Sequence, residues 1–198
     1  MKKVYDTINQ YCVEHELLTN GDGIVIGLSG GMDSVCLLQV LAALRNEWQL
    51  RLVCVHVHHG IRGTAADEDA AFAQRLAAKY NISFRLYEMD IPQLAKEQGL
   101  SEEEAGRNYR YRCFEEVRKE LNFDKIAVAH HRDDQAETVL WQILRGSGLR
   151  GVCGMRAGRA NIIRPLLCLD RQQIEQIVRG NGDGWREDAT NREEKIHA

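Results

Sequence analysis

Apolar positions along this chain fall into short runs whose spacing alternates between two periods. Residues 24–28 (IVIGL), 51–57 (RLVCVHV), 83–89 (SFRLYEM), 125–130 (KIAVAH) and a short piece within 161–166 (NIIRPL) are apolar, β-branched runs of strand length. Between them the spacing changes to three and four. Val4, Ile8, Tyr11, Cys12 and Leu18 predict a helix over 4–18, and Val35, Leu37, Leu38, Leu41 and Leu44 one over 33–44. Phe72, Leu76 and Ala77 share one face of the Ala-rich stretch 66–80. Ile91-Pro92 opens a short helix, because proline suits the first helical position. Ser101-Glu102-Glu103-Glu104 opens another on a capping-box pattern. Residues 134–144 and 171–179 read as the last two. The strands lack period-two alternation, as strands buried on both faces do. The pattern predicts an α/β fold: a doubly wound, mainly parallel five-stranded sheet with helices on both faces.

In such folds ligands bind beyond the carboxyl ends of the strands. The polar clusters of this sequence sit at those ends: Ser29-Gly30-Gly31 after the first strand, His58-His59-Gly60 after the second, His130-His131-Arg132-Asp133-Asp134 after the fourth. Glycines at 30 and 31 allow backbone N–H groups to face a ligand closely, and the following helix aims its dipole at the same place. A plain strand-to-helix turn is the alternative reading of two glycines. Asp33 tips the balance. A Walker-type phosphate loop needs a lysine, and here an acid stands instead. Such an acid is tolerable beside a polyphosphate when Mg²⁺ lies between them, so the loop suits a nucleotide whose pyrophosphate departs.

Composition narrows the classes. The 198 residues suffice for one domain with a core, and 44% hydrophobic with 28% charged residues is ordinary for a soluble globular protein. A net charge of −3 gives no sign of a dedicated nucleic-acid binder, although a local basic face stays open. Six cysteines (12, 36, 54, 113, 153 and 168) include no C-x-x-C pair, which argues against a zinc ribbon or redox pair and for reduced thiols in the cytoplasm. The first residues have no long apolar segment, so neither a signal peptide nor a membrane span is expected.

SGGMDS, residues 29–34, resembles the S-G-G-x-D-S loop of the N-type ATP pyrophosphatases, the PP-loop family, which activate a carbonyl oxygen by adenylation. Several further segments resemble one branch of that family, the tRNA(Ile)-lysidine synthetases. These are HVHHGIRGTAADED (56–69), EEEAGRNYRYRCF (102–114), AHHRDDQAETVLWQILRGSGLRGVCGM (129–155), IIRPLLCLDRQQI (162–174) and EDATN (187–191). The resemblance runs in order along the whole chain. It implies a PP-loop ATPase fold of the adenine nucleotide alpha hydrolase-like type. The implied reaction has ATP adenylate the C2 oxygen of the wobble cytidine in a CAU-anticodon tRNA(Ile), with release of pyrophosphate. L-lysine then attacks C2 and displaces AMP.

Candidate residues follow from the motifs. Ser29, Gly30, Gly31, Met32, Asp33 and Ser34 would bind the phosphates, and Gly27, Leu28 and Val57 would frame the adenine through backbone groups. Asp33 and Asp133 are the candidate Mg²⁺ ligands. Two adjacent acids at 133 and 134 repel each other without a cation, although Asp133 also stands where a helix N-cap belongs. One acid can cap while the other works. Glu137, on the first turn of the same helix, is a candidate for the lysine ammonium, with a dipole-favouring acid as the equal alternative. Arg107, Arg110 and Asp134 are candidates for the substrate lysine or the tRNA, against a solvated basic stripe. Arg145 and Gly148 are candidates for contact near the ATP or cytidine, against a helix C-cap. One of His130 and His131 is structural; the other, taken as His131, contacts phosphate or lines the pocket. A zinc cluster of the histidines is not expected.

Gly106 stands where that branch often has alanine, a cost of ~1 kcal/mol in a helix. The branch continues past D-x-[ST]-N into tRNA-binding domains, so residues 1–198 are expected to be the catalytic domain without them. A homodimer is left open. Two other functions compete: a 2-thiolation enzyme of the same superfamily, which needs catalytic cysteines, and a nucleotide-binding module without chemistry, which needs neither acidic block.

Overall fold

A computed structural model describes residues 2–58, 64–146 and 154–186. In chain order the elements are α1 (Lys2–Glu14), β1 (Gly23–Gly27), α2 (Met32–Leu44), β2 (Arg51–His58), α3 (Thr64–Lys79), β3 (Ser83–Glu88), α4 (Ile91–Gln98), α5 (Glu102–Glu120), β4 (Lys125–Ala127), α6 (Arg132–Leu144), β5 (Gly158–Arg159), β6 (Ile162–Ile163), a 3-10 turn at Pro165–Cys168, and α7 (Arg171–Gly180). The sheet order is β3-β2-β1-β4-β6-β5. β1, β2, β3, β4 and β6 run parallel, and β5 pairs antiparallel with β6.

The sheet therefore has six strands, not the five expected. β5 is two exposed residues, Gly158 and Arg159, which carry no apolar pattern. It exists because a turn through Ala160, at φ 51°, folds it back on β6. Helix α1 also stops short of residue 18: Glu16 takes a positive φ, and Leu17 and Leu18 turn into the core.

Strand alternation is present although the sequence hides it. Ile24 and Ile26 of β1, Leu52 and Cys54 of β2 and Ala127 of β4 pack on one face with Ile8, Leu37, Leu41, Leu76 and Ile174 from α1, α2, α3 and α7. Val25, Val53, Val55, Val57 and Ile126 pack on the other with Ala95 from α4 and Tyr109, Cys113, Phe114 and Val117 from α5. Both faces are apolar, so a period of two leaves no polar trace. β1 lies between β2 and β4, and the crossovers on either side leave in opposite directions. Its carboxyl end is the switch point where a ligand crevice belongs.

Candidate active site

The last residue of β1 is a glycine, Gly27, because the Phe114 ring of α5 lies against it. A Cβ there would come 2.7 Å from Phe114 Cζ. Leu28 N–H still donates to Val55 O (2.9 Å), and Leu28 O is taken by the His56 ring, Nδ1 at 2.7 Å. Val57, two residues beyond Val55, turns its backbone edge the same way, past the end of β1. This leaves one backbone edge of β2 without a β1 residue opposite it.

The loop then reverses through Gly30 at φ 95°, a conformation that favours glycine. Ser34 Oγ accepts Gly30 N–H (3.1 Å) and donates to Gly31 O (2.8 Å), while Ser29 Oγ accepts Gly31 N–H (3.3 Å). The glycine N–H groups are thus held within the loop. Those aimed outward belong to the first turn of α2, at Met32, Asp33 and Ser34, because Gly31 caps this helix without a side chain. Together with the helix dipole they can receive an anion.

Asp33 is on that same turn. Its Oδ1 is buried without a hydrogen-bond partner among the described residues, and its Oδ2 lies 3.7 Å from His131 Nε2. Burial pushes its carboxyl above the usual range, with Asp134 and Asp133 pushing the same way and His131 and Arg171 opposing.

The second acidic block is arranged by a helix start. His131 is the N-cap of α6: its Nδ1 accepts Asp133 N–H (3.2 Å), while Asp134 Oδ2 accepts His131 N–H (2.8 Å). The expected cap at Asp133 is corrected to His131. An imidazole nitrogen two residues before that N–H serves as the acceptor, and Asp134, at the third helical position, closes the box. Nδ1 as acceptor assigns the ring proton to Nε2, which lies 3.6 Å from Asp134 Oδ2 and faces Asp33. Asp134 is therefore occupied. The Asp133 carboxylate makes no hydrogen bond or ion pair with a described residue.

The remaining expected residues divide. Glu137 is exposed one turn beyond Asp133, on the same face of α6. Arg107 and Arg110 lie on α5. Arg107 sits 5.9 Å over the Tyr111 ring, and burial of the Arg110 head among neighbouring atoms lowers its pKa although the residue stays exposed. Arg145 is not brought to the loop. It follows the last turn of α6, twelve residues from Asp133 or ~18 Å along the axis, and stacks 4.9 Å over Trp141. Gly148 lies outside the described residues.

Sequence reasoning missed three features. Arg164 is buried and donates to His130 Nδ1 (3.2 Å); a charge inside the apolar run IIRPLL was its signal. Arg186 donates its backbone N–H to Gly30 O (2.9 Å) and its guanidinium to Glu68 and Asp69, pinning the loop to α3. Asp183 accepts from Gln39, Lys79 and Tyr80. Nothing in the local sequence announced the last two, because their partners are more than a hundred residues away.

The sequence also matches the model of the PP-loop domain over residues 2–197. The chain belongs to the PP-loop domain family. Within it, a tRNA(Ile)-lysidine synthase of Caldanaerobacter subterraneus is 46% identical over 194 residues, 98% of this chain and 41% of that protein. One of Clostridium tetani is 41% identical over 96% of this chain and 40% of its own length. This PP-loop chain thus spans about two fifths of the length of those relatives. Among solved structures, the U34-tRNA thiolase NcsA of Methanococcus maripaludis with its [4Fe-4S] cluster superposes with a TM-score of 0.75 at 18% identity, over 93% of this chain and 65% of that one. An NH3-dependent NAD synthetase of Campylobacter jejuni follows at 0.61 and 16%, over 98% and 82%. These likenesses establish the fold alone.

Proposed function

We propose that this PP-loop domain is the ATP-activating part of a tRNA(Ile)-lysidine synthase. It would transfer AMP to O2 of the wobble cytidine in a CAU-anticodon tRNA(Ile), with release of pyrophosphate, and then admit L-lysine to C2 with release of AMP. The observation that carries this reading is the meeting of Asp33 with the α6 acids beside uncapped helix amides, in a chain up to 46% identical to lysidine synthases.

The amides of Met32, Asp33 and Ser34 bind the phosphates, and Ser29, Gly30 and Gly31 fix the curvature of the loop that presents them. The adenine lies against the open backbone edge at Val57, with Gly27 and Leu28 at its side. Mg²⁺ fits the residues present: Asp33 has a buried oxygen, and Asp133 a carboxylate, without a partner among the described residues. Among the described residues no three His, Cys, Asp or Glu side chains form a metal site by themselves, so Asp33 and Asp133 would hold the ion together with the bound nucleotide. The ion would neutralise charge developing on the departing pyrophosphate. Asp33 and Asp133 hold their charges toward that place, and His131, held in the α6 capping box, sets the distance between them. Glu137 receives the lysine ammonium, and Arg107 and Arg110 receive anionic groups of the second substrate.

The thiolation reading needs thiolates. Among the described cysteines, burial pushes Cys12 and Cys54 up to about 12 and Cys168 to about 11, and Cys36 and Cys113 are raised as well. These are inert core thiols. The reduced cysteines agree with a cytoplasmic enzyme, and no described helix is long and apolar enough to cross a membrane.

Product analysis tests the proposal. The protein is incubated with ATP, Mg²⁺, L-lysine and the CAU-anticodon tRNA(Ile), AMP is assayed, and digested tRNA is weighed by mass spectrometry. A wobble cytidine heavier by one lysine residue is expected. A sulfur-containing nucleoside, or ATP turnover indifferent to tRNA, would sink the assignment.

A further inference from the structure

Arg164 follows β6 at the carboxyl edge of the sheet and is only 9% exposed. Nε donates to His130 Nδ1 (3.2 Å) and Nη1 to Arg156 O (3.0 Å). Neither acceptor carries charge: an imidazole accepting at Nδ1 is neutral, and burial beside Arg164 holds His130 below its usual pKa. No described Asp or Glu forms an ion pair with this guanidinium. The charges that bear on it are cationic, from Arg107 on α5 and Arg159 on β5, with the Tyr111 phenol also near. Of the residues outside the description, 59–63 and 147–153 contain no acid, while 187–198 contain Glu187, Asp188, Glu193 and Glu194.

A buried cation with no counter-charge among the described residues is costly unless something else supplies one. The cost is concentrated beside His130, next to the α6 N-terminus that carries Asp133, at the carboxyl edge of the sheet. We propose that Arg164, with Arg107 beside it, anchors an oxyanion site at the carboxyl end of β6. The site takes a charged oxygen group of the second substrate, either an amino-acid carboxylate or an RNA phosphodiester. The identity of that substrate rests on the lysidine synthase reading; the anion site itself does not. A guanidinium fork fits both groups through paired N–H donors.

The test reads Arg164 directly. Its side-chain Nε–H resonance is assigned in 15N-arginine-labelled protein by its loss in R164K. Acetate, dimethyl phosphate, L-lysine, L-lysinamide and a CAU-anticodon hairpin are then titrated. A saturable shift with acetate and L-lysine but not with L-lysinamide identifies a carboxylate site. One with dimethyl phosphate and the hairpin, and none specific to the lysine carboxylate, identifies a phosphodiester site. Either supports the proposal. No saturable shift with any probe overturns it, as does a shift produced by E187Q or D188N alone, which would reveal an internal counter-ion.

In turnover assays R164Q should raise the Michaelis constant of the recognised substrate ten- to hundredfold and that of ATP less than twofold, with R164K between. Equal losses toward ATP and the second substrate would mark a merely structural residue. If the resonance responds but the wild type forms no lysidine, the proposed function fails and the anion site stands.

Discussion

At the scale of residues, the chemical role proposed for Asp33 opposes its effect on folding. Burial raises its folded pKa above its unfolded value. Folding therefore favours the protonated form: this contribution to stability is complete below the unfolded pKa and is lost as pH rises through the folded one. D33N removes the penalty paid by the charged form. Without nucleotide, the variant should melt about 2–4 °C above the wild type at pH 8, equivalent to ~1 kcal/mol in a chain this size. That is a modest figure, because solvent reaches about a third of this side chain. The difference should vanish toward pH 4. With Mg²⁺ and ATP the order should invert, because only the wild type gains the ligand's stabilisation. Melting curves with and without Mg-ATP decide it. A variant that melts lower at pH 8 in the absence of ligand would show that Asp33 is structural.

Among the elements, α6 divides its two acids by position. Asp134 is spent on the His131 N–H, while Asp133 has its oxygens open. D134N keeps an oxygen acceptor, so its urea midpoint should stay near the wild type's. D134A should lose ~1 kcal/mol, a typical cap. D133N should leave the midpoint unchanged and reduce Mg²⁺-dependent ATP turnover by orders of magnitude. If D134N abolishes turnover as thoroughly as D133N, the division between capping and working acid is wrong. The adjacency of the two acids was visible in the sequence, as was the choice between capping and working. Which acid does which was not, because an imidazole acting as N-cap has no common signature. Strand positions were legible from apolar runs, and the glycine loop from its break in the first one. β5 was not, since its two residues are held by a turn rather than by side chains. The strap through Asp183 and Arg186 was equally silent, because a chain reads locally and these contacts join residues 39, 68, 69, 79 and 80 to its far end.

For the molecule as a whole, charge separates nucleotide binding from RNA binding. The net charge is −3, and among the described residues the arginines proposed to meet the second substrate are Arg107, Arg110 and Arg164, on or beside the carboxyl edge. The proposed ATP site draws on the loop amides, the open strand edge and the acids, all of which lie between residues 27 and 134. RNA affinity depends on how many phosphates cationic groups neutralise, and its salt dependence counts them. This chain should therefore bind ATP in a Mg²⁺-dependent way by itself, and bind the tRNA weakly, with log affinity falling against log salt at a slope of no more than about −2 to −3, one phosphate for each arginine at the edge. A chain extended to the length of the lysidine synthase relatives should bind ATP equally well and show a steeper slope. Fluorescence titrations with tRNA between 50 and 200 mM salt (about a thousandfold loss for six contacts) separate the cases. A slope near −6 from this chain alone would place the main RNA-binding surface on the PP-loop domain itself and would refute the separation.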